Sequence, residues 1–396
     1  MTTSVSPMNE TSMQAYLYGY WIGSAALAGE CGRDSTDETP RLTLAHTNKG
    51  VERRMTIDSN VYWLPGELFT DNDMLGHFLR CVPQTYGTRA LTKHTDDGLA
   101  IVIEKPNGMH NFDYFEHDYD LDRQLADMDE AGIDVAVLKL PGVQEWLDLD
   151  LCRQFNTLAA ARQEAANGRQ VALAVVPPIA DDAVVAELKR CRDELHLHGV
   201  QLSAHYGEHY LDDAMYRPLL RAIADLDMTA YVHQTPLPVD WHSLTDYNNV
   251  RRSLGRCIDQ LTAVSREIFS DLFDELPTLR MVHSMLGGAF FAYRTMLFPT
   301  DSGGGRFSVD NGGPAAHLRN NIFFEMSHAQ PWGTDALELA VTMLGADRII
   351  YGSSYPVKKI WLTGGPSTVR DLTINDTDRN RILSDNAAHL YDIDIR

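Results

Sequence analysis

Positive charge is in short supply. The 396-residue chain carries 34 Lys and Arg against 55 Asp and Glu, a net charge of −21. Such an excess repels phosphate backbones and anionic lipid, so no nucleic-acid or membrane partner is expected. An anionic substrate would need local cations in its site. Long apolar runs are also missing, and no stretch reaches the roughly 20 residues that a membrane span needs. The mildly apolar stretch 15–29 has no basic residue ahead of it, the first being Arg33, so it is not read as a secretory signal. Cysteine is sparse. Cys31, Cys81, Cys152, Cys191 and Cys257 are odd in number and show no CxxC spacing. They fit the reduced thiols of a cytoplasmic protein better than a disulfide framework or a zinc cage. There is no internal repeat and no low-complexity segment.

What is present is a normal globular composition, 44% hydrophobic, over a length that suits one large domain or two ordinary ones. Residues 1–50 are rich in Ser, Thr, Asn and Asp, with Tyr16, Tyr18, Tyr20 and Trp21 among them. They read as an extension that packs on the main body or on a partner subunit. Residues 51–396 then alternate short apolar runs with helical stretches. The strand candidates are 55–61, 134–140, 170–176, 199–203, 228–233, 279–283, 321–326 and 348–352. Most are near-continuous apolar runs, as parallel strands buried on both faces require. Helix candidates are 121–131, 149–167, 181–198, 212–227, 250–275, 287–297, 334–345 and 378–391. Eight strands alternating with helices point to an α/β fold, a (β/α)8 TIM barrel. One connection is unusually long. Residues 62–120 follow the first strand, so they read as an insertion or lid over the C-terminal mouth, where barrel enzymes keep their sites.

Two segments frame the candidate site. Along Ile57-Asp58-Ser59-Asn60-Val61-Tyr62-Trp63, Asn60 and Tyr62 alternate in one direction and should both point into the mouth. After the last strand comes Tyr351-Gly352-Ser353-Ser354-Tyr355-Pro356. Five segments, in order, carry a family resemblance: Asp127–Leu138, Phe155-Asn156 with Gly168–Pro177, Leu211–Tyr216 with Tyr231-Val232-His233, Leu276–Gly288 and Gly345–Pro356. Over roughly residues 55–392 the chain resembles the amidohydrolase-related family that includes aminocarboxymuconate-semialdehyde and dihydroxybenzoate decarboxylases. The resemblance implies a metal held by His-x-His of the first strand, His of the fifth and Asp of the eighth, with a catalytic His on the sixth. Here His233 and His283 remain. The other three positions read Asn60, Tyr62 and Ser354. Amide and hydroxyl oxygens are poor zinc ligands, so no metal and no cofactor is expected.

The catalytic expectation therefore falls on His283 as principal acid/base, with His233 and Tyr62 positioning and protonating substrate. Asn60 and Ser354 supply hydrogen bonds at the former ligand positions, and Asp58 anchors a neighbouring imidazole or basic group from below. Lys139 ends the second strand as a cation for an anionic substrate, a desolvated base or Schiff-base former, or a rim lysine. Glu325 ends the seventh, as a base or as the partner of Arg348 or another strand's cation. His205 opens the run His205-Tyr206-Gly207-Glu208-His209, whose Gly207 argues for a loop. Trp63 and Trp241 fall with other aromatics in mouth loops that suit a planar substrate. The expectation is a metal-independent lyase of decarboxylase, dehydratase or cyclase type, acting on a small aromatic or conjugated carboxylate or carbonyl compound. Alternatives are a metal-dependent hydrolase or decarboxylase with a rearranged site on His205, His233 and His283, and a non-catalytic binding protein. A homodimer or higher homo-oligomer is expected by analogy.

Overall fold

A computed structural model describes residues 54–82, 89–96, 98–104, 110–244, 246–247, 249–299 and 312–394. The expected extension over residues 1–50 lies outside them. All eight expected strands are present: Ile57–Tyr62, Val135–Lys139, Gln170–Ala172 continued by Ala174–Val175, Val200–Ser203, Thr229–His233, Arg280–His283, Ile322–Glu325 and Ile349–Ile350. Each pairs in parallel with its neighbour. The first three form one sheet, and Ala174–Val175 starts a second that runs in order to the eighth strand. Leu173 N donates to Leu138 O at 3.0 Å and Ala174 N to Gly199 O at 2.8 Å, so the third run serves both sheets. At the other junction, Ser59 N donates to Tyr351 O at 2.9 Å and Tyr62 N to Tyr355 O at 2.7 Å. The architecture is of the TIM-barrel type.

The period-2 alternation of strands sorts side chains into two cores. Ile57, Val135, Val137, Val171, Leu173, Tyr231, Val282, Phe323 and Ile350 meet in an inner cluster. Ala136, Leu138, Ala230, Val232, Met281 and Phe324 join the larger cluster beneath the surrounding helices. The short helix Asn386–Tyr391 packs Ala387, Leu390 and Tyr391 against the inner cluster. Thr229 at the start of the fifth strand donates its hydroxyl to Leu390 O at 2.6 Å. The N-terminal ends of the strands are thus plugged, and chemistry is left to the C-terminal ends.

Two helices were hidden from sequence reasoning. Lys359–Arg370 carries Gly364, Gly365 and Pro366, which break its helical pattern. Gly365 is there for space, because a Cβ would lie 2.0 Å from the Tyr351 hydroxyl. Gly312–Asn321 is the other. The insertion after the first strand is also more than a loop. Helices Glu67–Thr70 and Asn72–Cys81 lead into an antiparallel sheet of Arg89–Thr95, Gly98–Glu104 and His110–Phe115. Asp71 caps the second helix by accepting from Asp73 N and Met74 N. The Tyr114 hydroxyl donates to Pro141 O at 2.9 Å, which ties the sheet to the loop after the second strand. No helix among the described residues is long and apolar enough to cross a membrane.

Candidate active site

Inner-face parity carries the polar residues to the mouth. Beyond Val137, Tyr231 and Phe323, the next inward positions are Lys139, His233 and Glu325. The first strand reaches the same place through a register shift between Asp58 and Val61, and bulges of this kind re-aim side chains beside active sites. The structure thereby gathers Asn60, Tyr62, Lys139, His233, Glu325 and Ser354, with Asp58 at the base, all buried.

The Tyr62 hydroxyl lies 2.9 Å from His233 Nε2, and His233 Nδ1 lies 2.7 Å from the carbonyl of Gln234. A carbonyl only accepts, so Nδ1 carries the proton and Nε2 accepts from Tyr62. Burial, reinforced by Lys139, pushes His233 down to about 3, so its ring is neutral. Burial pushes Tyr62 up to about 12 against the pull of Ser354, Gln234 and Arg256. Asn60 Nδ2 donates to Glu325 Oε2 and to Ser354 Oγ, both at 3.1 Å. Glu325 is an acceptor, which fixes the amide's orientation and leaves Asn60 Oδ1 buried without a partner. Glu325 Oε2 also accepts from Tyr231 at 2.6 Å and from the Ser327 hydroxyl at 3.1 Å. Arg348 is not its partner. That guanidinium pairs with Asp347 and lies over Phe323.

Lys139 points inward rather than to the rim. Its Nζ donates to Ser59 O at 2.6 Å and sits 3.2 Å from the centre of the Tyr231 ring. Burial pushes it down to about 7, opposed by Glu325 and Asp58. Asp58 holds no imidazole. Its Oδ1 accepts from Asn60 N at 3.0 Å and Ser353 N at 2.9 Å, so it clamps the first strand to the eighth-strand run. Burial pushes it up to about 6. Ser354 donates to Ser327 O from a left-handed backbone, φ 61°, and has no base beside it. Its hydroxyl is held between the Asn60 amide and the Ser327 carbonyl.

His283 is elsewhere. Val282 takes the inner face, so His283 faces outward into helix Arg256–Phe269. Its Nε2 lies 2.7 Å from Glu267 Oε2 and its Nδ1 2.9 Å from Gln260 Oε1, with the side chain fully buried. This corrects the expected role as principal acid/base, because the ring does not reach the mouth. Between Arg280 and His283 the strand has only the apolar pair Met281 and Val282, which gave no alternation from which the facing could be read. A chain of bonds does lead inward, from Gln260 Nε2 to Ser284 Oγ at 3.0 Å and from Ser284 to Gln234 Oε1 at 2.8 Å.

His205 lies in a two-strand hairpin, His205–Tyr206 with His209–Tyr210, as the loop reading expected. It lines a cleft of about 400 Å3 with Glu145, Trp146, Pro178, Pro236, Leu237 and Trp241. His205 Nε2 lies 3.0 Å from Asp259 Oδ2 and 2.7 Å from Thr235 Oγ1, while Thr235 donates to Leu237 O. Its Nδ1 faces Gly207 O at 2.8 Å. Every neighbour accepts, so His205 holds both protons. Burial would lower its pKa, but Asp259 and Glu145 outweigh that and raise it. Trp63 does not line the cleft; its ring is packed in the outer core, and its backbone N–H donates to Lys139 O at 2.9 Å. A larger groove of about 610 Å3 lies on the outer face beside Glu67, Arg153 and Arg190, away from these groups.

Sequence reasoning missed Arg251 and Arg256. Both are buried, and burial pushes each down to about 10. Arg256 donates to Pro236 O at 3.4 Å and interacts electrostatically with Tyr62, Tyr114 and His233. The one available signal was a local run of arginines, 251, 252 and 256, in an acidic chain.

The family metal does not fit the donors present. His233 Nε2 accepts from Tyr62, Ser354 donates to a carbonyl, and the Glu325 oxygens are occupied. Of the gathered side chains, the Asn60 amide oxygen and, at the base, Asp58 Oδ2 are without a partner, and one amide and one carboxylate oxygen do not make a zinc site. The three histidines of the rearranged alternative do not meet, each having its own partners.

Similar proteins agree with this architecture. The chain is 28% identical over 293 residues to gamma-resorcylate decarboxylase of a Rhizobium species, covering 69% of this chain and 87% of the relative. The structure of 5-carboxyvanillate decarboxylase from Sphingomonas paucimobilis superposes with a TM-score of 0.63 at 20% identity, covering 86% of this chain and 99% of the other. A Polaromonas dihydroxybenzoic acid decarboxylase with bound manganese gives 0.60 at 19% identity, with 86% and 97% covered. The amidohydrolase family model matches residues 104–393, and the chain belongs to that family.

Proposed function

We propose that this protein is a decarboxylase-type lyase acting on a small hydroxylated aromatic carboxylate. It works by proton transfer without a resident metal ion, at the mouth of an eight-stranded barrel closed between its first and eighth strands. The observation that carries the reading is the Tyr62–His233 hydrogen bond beside the open, buried Asn60 Oδ1. The named relatives are decarboxylases of aromatic acids, and the buried Arg256 supplies the cation that an acidic chain needs to hold such a substrate. The substrate ring occupies the cleft beside Trp146 and Trp241, its carboxylate faces Arg256, and its hydroxyl donates to Asn60 Oδ1.

The carboxylate raises the His233 pKa, because a nearby anion favours the charged ring. His233 then takes up a proton with the substrate and passes it to Tyr62 while Tyr62 gives its own to the ring carbon bearing the carboxylate. The C–C bonding pair returns to the ring as carbon dioxide leaves. Hydrolysis is the poorer reading, because no activated water nucleophile is built into this donor set. The test is carbon dioxide release from a panel of hydroxybenzoates. Asn60→Leu should abolish preference for the hydroxylated acids over their deoxy analogues. Equal preference in wild type and variant removes Asn60 from substrate recognition.

A further inference from the structure

The insertion helix Asn72–Cys81 and the helix Leu149–Ala165 meet at a cluster unrelated to the barrel mouth. His77 and Cys81 are four residues apart on one face of the first helix. Asp148 is the N-cap of the second. His77 Nε2 lies 2.7 Å from Asp148 Oδ2, and Cys81 Sγ lies 3.6 Å from the same oxygen. One ligand atom from each of the three residues lies within 4.8 Å of the others.

We propose that His77, Cys81 and Asp148 bind a borderline divalent cation of the zinc class. An imidazole nitrogen, a thiolate and a carboxylate are a donor set that zinc accepts in tetrahedral array. Zinc–ligand bonds of about 2.0–2.3 Å place tetrahedral ligand atoms roughly 3.3–3.8 Å apart. The present spacing reaches that range by small side-chain rotations. Asp148 Oδ1 already accepts from Leu151 N at 3.0 Å, so Oδ2 can turn to the metal while the helix cap stays in place. The His77 and Asp148 side chains are 27% and 50% exposed, which leaves the fourth position to water. Binding expels the Cys81 thiol proton, and thiolate plus carboxylate then balance the ion's charge. The ion would clip the insertion to the rest of the chain.

The test is Co2+ titration of the metal-stripped full-length protein, read by thiolate-to-cobalt charge-transfer absorption and by melting temperature. One equivalent should produce the thiolate band and raise the melting temperature. Cys81→Ser should abolish the band, His77→Asn should weaken binding at least tenfold, and Asp148→Asn, which keeps the cap, should weaken it also. Cys257→Ser should leave the band intact. Absence of the band in wild type overturns the proposal, as does its survival in Cys81→Ser. Circular dichroism confirms that each variant is folded. The readout does not depend on turnover, so failure here leaves the decarboxylase reading untouched.

Discussion

Tyr62 illustrates how a single atom separates a catalytic role from a structural one. Its ring is part of the core, and only the hydroxyl meets His233. Tyr62→Phe keeps the packing and loses the proton carrier. General acid–base groups contribute about 10²–10⁴-fold, so kcat should fall within that range while the loss of one hydrogen bond costs about 1 kcal/mol of stability. Retained kcat would place the proton donor elsewhere. Arg256→Met should act on binding instead. Charge-assisted hydrogen bonds are worth about 1.5–3 kcal/mol, which predicts a KM rise of roughly 10–100-fold with a smaller change in kcat. At this scale the sequence was largely legible. Asn60, Tyr62, His233 and Ser354 were named from the family resemblance, with strand parity turning Asn60 and Tyr62 the same way, and Lys139 and Glu325 from their places at strand ends; the structure brings them together. Arg256 was not legible, since a helical arginine has the same letter whether it is buried or solvated.

Within single elements, legibility depends on alternation. The run Met281–His283 is apolar or ambiguous at every position, so nothing showed that Val282 faces in and His283 out. The structure turns His283 into the partner of Glu267, whose carboxyl burial pushes up and the imidazole pulls back. Breaking a buried pair leaves an uncompensated polar group and costs about 3–5 kcal/mol. His283→Ala should therefore lower the melting temperature markedly, while turnover per folded molecule falls far less than in Tyr62→Phe. A kcat loss equal to that of Tyr62→Phe in folded His283→Ala would restore the acid/base role to this residue. The Gly287-Gly288 pair was read as a turn after the strand; it lies in a left-handed stretch, residues 285–289, that kinks the helix Ser284–Leu297, and the reason for glycine at 288 is steric. Gly288 adopts φ 67°, and a Cβ there would lie 1.8 Å from the Cys257 carbonyl. Gly288→Ala should push helix Ser284–Leu297 away from helix Arg256–Phe269 and expose hydrophobic surface to dye binding. An unchanged melting temperature would contradict the packing described.

For the whole molecule, eight strands were readable because each is a short buried run between turn residues. The insertion's antiparallel sheet was not, because its first strand is polar, its middle strand is a lone apolar run, and its third, His110–Phe115, is a short aromatic-rich stretch beside Gly108 that reads equally as loop. The molecule also stores charge inside its barrel. Lys139, ordinarily near 10.5, is pushed down to about 7. Between those values the unfolded chain binds a proton that the folded one does not, so folding stability rises with pH across that window and the penalty is full below it. Wild type should gain on Lys139→Met by about 1.4 kcal/mol per pH unit from roughly pH 7 to 10.5, measured by urea unfolding. Parallel stability curves would mean that Lys139 is solvated.

The central claim is that the family's metal position has been replaced by proton-transfer groups. It is tested most directly by turnover of a hydroxybenzoate substrate in chelator-treated Cys81→Ser protein, with the peripheral thiolate removed so that metal content reports on the mouth alone. Undiminished carbon dioxide release, unaffected by added Mn2+ or Zn2+, is the predicted result. Activity that vanishes on chelation and returns with either ion would contradict it.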